Sequence, residues 1–141
     1  MSARSKARKR ALDILFEAES RGMNASDLLA ERLASPVRAG QDDHPVPEYS
    51  STLVRGVVRH WASIDEALTT YAQGWTLDRM PAVDRAILRL GAFELVYGDE
   101  VPEGVAIAEA VALARELSTD ESPTFVNGLL GRLQQVKPTL V

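Results

Sequence analysis

Apolar residues recur at spacings of three and four along almost the whole chain, which is the period of an amphipathic helix and not of a strand. Ala7, Ala11, Ile14, Leu15 and Ala18 share one face of a first helix, and Gly22 suits its stop. Ser26 suits the cap of a short second helix carrying Leu28, Leu29 and Leu33. Proline, glycine and aspartate crowd residues 35–47, which predicts the one long loop. Tyr49, Leu53, Val57, Trp61, Ile64, Leu68 and Tyr71 then form an unbroken stripe, predicting a single long helix, with room for a bend, that ends near Gly74. Pro81 suits the first turn of another helix, with Val83, Ile87, Leu90 and Leu95, continuing to Gly98. Pro102 opens a further one bearing Ile107, Ala110, Val111, Ala114 and Leu117. Asp120 or Ser122 is placed to cap the last helix, whose face is Val126, Leu129, Leu130, Leu133 and Val136 and which Pro138 closes.

Asn127-Gly128 is a hairpin dipeptide, yet the apolar spacing runs through it, so it belongs inside a helix. Gly128 and Gly91 there suit close approach of another backbone. With no internal repeat, the expectation is an all-α fold: a compact single domain over residues 1–141, with six or seven helices.

Composition narrows the picture further. The 141 residues include no cysteine, which excludes disulfides and thiolate metal sites and fits a reducing cytoplasm. No run approaches the roughly 18 apolar residues of a membrane span, and no long apolar run follows the basic N-terminus as in a secretory signal. The expected compartment is the cytoplasm. The net charge of −4 conceals an asymmetry. Arg4, Lys6, Arg8, Lys9 and Arg10 fall within the first ten residues, which contain no acid, so the remainder is strongly acidic. Such a split suggests an anion-binding arm on a body that does not itself attract nucleic acid.

Enzymatic chemistry finds little support. There is no phosphate-cradling glycine loop with its lysine and no His-Glu-x-x-His. His60 has Ser63 and Asp65 close in sequence, but those spacings on a helix do not converge on one reacting atom. Glu109 and Glu116 share a helix face, but with Arg115 and Arg132 nearby they read as a solvated surface. The expectation is a protein that is not an enzyme and holds no cofactor or metal.

The basic N-terminal arm, residues 1–10, is the strongest chemical feature. Five cations within seven residues are able to contact successive phosphates and release counterions; the competing account is a solvated, frayed terminus. Cations at a helix N-terminus oppose its dipole, so helix stability alone does not place them there. Phe16 lies off the main apolar face and suits base stacking, a protein anchor, or a second packing surface.

Several segments together resemble the NusB family. They are the opening from Arg4 to Phe16, the helix from Val83 to Leu95, the stretch from Val101 to Leu117, and Ser122-Pro-Thr-Phe-Val-Asn-Gly-Leu-Leu130. The resemblance implies two packed helical bundles and a role in antitermination of ribosomal RNA transcription, with no reaction and no cofactor. It implies pairing with NusE, a ribosomal protein of the small subunit, binding of the single-stranded boxA leader element, and entry into the RNA polymerase elongation complex with other Nus factors. By position, it assigns RNA to Arg4, Lys6, Arg8, Lys9, Arg10, Glu121, Phe125 and Asn127, and NusE to Phe16 and Asp84. Phe16 replaces a common tyrosine and Ala108 a common asparagine, so two polar contacts of the family are missing.

Two other accounts remain open at this level. One is a helical interaction or scaffolding protein with no RNA role. The other is a detached NusB-like module of a ribosomal RNA methyltransferase, although the chain has neither a glycine-rich loop nor a nucleophilic cysteine for that chemistry. Self-association into a homodimer that hides the partner surface also stays open.

Overall fold

The computed structural model describes residues 2–34 and 45–140. Among them are seven α-helices and one 3-10 turn, and no strand. The helices are α1 (Ala3–Ser20), α2 (Ala25–Ala34), α3 (Glu48–Arg59), α4 (Trp61–Tyr71), α5 (Ala82–Val96), α6 (Glu103–Leu117) and α7 (Ser122–Leu140), with the turn at Leu77–Arg79. Most of the 35–47 loop lies outside the described residues. No described helix is long and apolar enough to cross a membrane.

The apolar faces expected of the sequence form the core. Ala7, Ala11, Ile14, Leu15 and Ala18 are all buried on α1, as are Val126, Leu129, Leu130 and Leu133 on α7. Helices α1, α2 and α3 pack on one another, and α4, α6 and α7 form a second group. Helix α5 touches both and is buried almost all round, as a helix at the centre of two bundles must be.

Two glycines set how closely the helices approach α5. A Cβ on Gly56 would fall 2.2 Å from the Phe93 ring, so only glycine lets α3 cross α5 there. A Cβ on Gly91 would fall 2.8 Å from Leu130 and 3.2 Å from Ala110, where α6 and α7 close on α5. Gly128 differs from its expectation, since a Cβ would meet only the end of Arg132, at 3.5 Å.

The structure corrects several local expectations. The long stripe from Tyr49 to Tyr71 is two helices, broken at His60 (φ −105°, ψ 19°). The His60 ring stacks on Tyr97 with centroids 3.8 Å apart, which holds the break. Trp61 is thereby turned to the surface, over the Arg89 guanidinium. Asn24 caps α2 in place of Ser26, its side chain accepting from the Ser26 N–H at 2.7 Å. Leu33 is exposed. At the start of α7, Ser122 takes part as its sequence position suggests: its N–H donates to the Thr119 carbonyl, and its Oγ accepts from Thr119 N–H. Pro138 sits inside the last turn of α7, which runs on to Leu140.

Candidate nucleic-acid interface

The five N-terminal cations are not a loose arm. They occupy the first turns of α1, which Ser2 caps by accepting from Ser5 N–H at 3.0 Å. The helix then divides them by direction. Arg8 lies three residues before Ala11 and seven before Leu15, so it shares their buried face. Arg4 and Lys6 are exposed, and Lys9 and Arg10 half-buried.

Arg8 is 3% exposed. Its Nε donates to both oxygens of Glu94, at 2.8 and 3.1 Å, and Nη1 lies 3.3 Å from Glu109. The Tyr49 hydroxyl donates to the same Glu94 carboxylate. Burial opposes the Arg8 charge, but the hydrogen bond and charge of Glu94, with that of Glu109, outweigh it and raise the pKa. Burial first, and then Glu94, push the Tyr49 phenol up as well. Arg8, grouped in the sequence with the cations able to contact phosphate, thus has its charge paired inside the protein. Ser50 donates to the Ala7 carbonyl at 2.7 Å and fixes α3 against the same turn.

The outward cations meet acids at the rim. Arg4 Nη2 donates to Glu100 at 2.8 Å, with its guanidinium 4.4 Å over the Tyr49 ring. Lys9 Nζ donates to Glu116 at 2.7 Å, which raises the lysine pKa. Ser5 donates to Glu109 at 2.7 Å. Glu109 and Glu116 are therefore matched by α1, not by Arg115 and Arg132 as their sequence neighbourhood suggests; Arg132 instead donates to the Tyr71 carbonyl. Lys6 has no ion-pair partner among the described residues.

A second cluster lies where α5, α6 and α7 meet. Asp84 is 3% exposed and accepts from Ser118 Oγ at 2.5 Å and Ser122 Oγ at 2.9 Å. It is not the open carboxylate expected of a partner contact, because it holds the α6–α7 corner. Asp84 borders a cavity of about 150 Å³ together with Trp75, Pro81, Glu121 and Phe125. The Trp75 and Phe125 rings are tilted, with centroids 6.0 Å apart. Glu121 and Phe125, four apart, share this face; Asn127, two further on, is exposed on another side of α7. Phe16 is 40% exposed, seven residues after Lys9 and so on the same side of α1.

Sequence reasoning missed Trp75 and Tyr49 as members of these clusters, and Glu94 as the partner of Arg8. One signal was available: Arg8 lies on the apolar face of α1, and Glu94 sits between Leu90 and Leu95 on an apolar stretch of α5. The tempting trio of His60, Ser63 and Asp65 does not assemble. Asp65 gives both carboxylate oxygens to Arg89, and the His60 ring is stacked on Tyr97.

Comparison with known proteins agrees with this architecture. The family model described as "NusB family" matches residues 5–135. A transcription antitermination protein NusB of Arthrobacter sp. (strain FB24) is 61% identical over 141 residues, covering 100% of this chain and 99% of that protein. Among solved structures, T. maritima NusB matches with TM-score 0.79 and 30% identity, over 95% of this chain and 92% of the other. The antitermination factors NusB and NusE in complex with double-stranded RNA include a chain that matches with TM-score 0.77 and 28% identity, over 94% of this chain and 96% of the other. With its model spanning nearly the whole chain and relatives this close, the protein belongs to the NusB family.

Proposed function

We propose that this protein is an RNA-binding antitermination factor that takes single-stranded boxA RNA of ribosomal leaders on the outer face of α1. It works with NusE inside the RNA polymerase elongation complex, in the cytoplasm and alongside other Nus factors. Its work is binding, and it catalyses no reaction. The observation that carries this reading is the sorting of charge on α1. Arg8 is buried, while Arg4, Lys6, Lys9 and Arg10 stay at or near the surface in a helix whose first turn has no acid.

Other features support it. The solved NusB–NusE complex contains duplex RNA, whose phosphates are the same anionic groups that a single strand presents at lower charge density. Single-stranded RNA offers unstacked bases as well, and Phe125 with Trp75 and Glu121 forms a small aromatic recess of the kind that receives them. Arg8 contributes by holding the helix in place, and Asn127 extends the surface along α7. Phe16 is the proposed NusE contact, adjoining the RNA face, and Asp84 acts through the corner it organises. A homodimer formed through the Phe16 face would compete with NusE.

The test is binding of labelled boxA-like RNA with and without NusE, at two protein concentrations. Wild type is run beside Lys6→Ala/Lys9→Ala/Arg10→Ala. Tighter binding with NusE that the variant loses is the expected result. An affinity untouched by NusE and by the variant would leave a helical interaction protein as the better account.

A further inference from the structure

The carboxylates that form ion pairs with Arg4, Arg8 and Lys9 come from one stretch, between Glu94 and Glu116. Glu94 and Glu109 have a clear structural use, since they satisfy an arginine sealed from water. Glu100 and Glu116 do not. Their side chains are 77% and 43% exposed, and those of Arg4 and Lys9 are 45% and 38% exposed. Pairs this open contribute little to folding. Glu116 also stands in the last turn of α6, where a carboxylate opposes the helix dipole, so α6 itself gains nothing from it. Both acids nevertheless put an anionic oxygen against a cation at the distance a phosphate would take.

We propose that Glu100 and Glu116 set the RNA affinity of this protein by acting as internal competitors for phosphate at Arg4 and Lys9. The inference rests on the RNA reading above. A phosphate reaching either cation displaces a carboxylate before it gains anything, so the exchange trades one ion pair for another. Lys6 gives its full gain, because it breaks no ion pair among the described residues. Phosphate contacts carry no sequence information. Releasing Arg4 and Lys9 therefore strengthens binding to any single strand, and the acids hold that indiscriminate part of the affinity down.

The experiment measures binding of labelled oligouridylate and of boxA-like RNA at low and moderate salt. It compares wild type, Glu100→Gln/Glu116→Gln, and the charge-matched control Asp27→Asn/Glu66→Gln on α2 and α4. The first double variant should bind both RNAs about three- to twentyfold tighter than wild type. The control should change binding less than twofold, and thermal unfolding should be alike in all three. Glu116→Gln should also lose its effect in a Lys9→Ala background, which separates a local pair from a general change in charge. Affinity equal to the control, or weaker than wild type, would overturn the inference and recast the acids as residues that orient the cations. Failure of all three proteins to bind either RNA at low salt would instead overturn the RNA reading, and the inference with it.

Discussion

The two ends of α1 carry opposite charge, and both oppose the helix dipole. Cations crowd its N-terminal turns, while Glu17 and Glu19 lie in its last turn. The C-terminal acids are answered by arginines of other elements. Glu17 accepts from Arg21 and Arg32, and Glu19 from Arg85 and Arg89; Arg89 also grips Asp65 of α4. That end is a clamp between helices. At the N-terminal end Arg8 is used this way, while Arg4 and Lys9 pair at the exposed rim and Lys6 has no ion-pair partner among the described residues. An unfavourable charge at a helix end thus serves structure where other elements answer it, and is left open to the proposed RNA contact where it stays at the rim.

The largest expected effect tests the inward charge. Arg8→Ala leaves the buried Glu94 carboxylate without its cation, held by the Tyr49 hydroxyl but uncompensated in charge, and should cost about 3–5 kcal/mol in urea unfolding. Arg8→Met/Glu94→Leu should recover most of that loss, because neither charge is then stranded. A smaller effect is expected at the clamp. Glu19→Ala removes a partly exposed acceptor shared by two arginines and should cost about 1 kcal/mol by the same measurement.

Acid provides a second test of the clamp. The hydrogen bond from Arg32 holds Glu17, and that from Arg85 holds Glu19, below the ordinary 4.5. With the folded pKa lowered, their contribution is present above about pH 4.5 and is lost as pH falls through the folded value. Thermal midpoints should therefore decline on acidification below pH 4.5, and less steeply in Glu19→Ala. The smallest structural effect belongs to the outward face. Lys6→Ala should leave the unfolding midpoint unchanged, while the log–log salt slope of RNA binding becomes shallower by about 0.7.

Much of this was legible in the sequence because helical periodicity reports burial directly. Ala11, Ile14 and Leu15 fell inward as their spacing requires. Where apolar spacing continued without pause, as from Val57 to Trp61, the break at His60 was invisible, since it depends on stacking against Tyr97 of a distant helix. The α2 cap fell on Asn24 and not on Ser26, because serine and asparagine are interchangeable candidates until the turn is seen. The basic run was legible as a cluster of cations but not as two faces. Its sorting depends on Glu94, 86 residues from Arg8, and on Glu100 and Glu116 further along.

The most direct test of the division of α1 is the salt dependence of RNA binding by Lys6→Ala/Lys9→Ala/Arg10→Ala beside wild type. Four phosphate contacts on a single strand give wild type a log–log slope near −3, roughly, and the variant should fall to about −1 with its unfolding midpoint intact. An unchanged slope in a folded variant would contradict the account, because the RNA would then lie elsewhere on the protein.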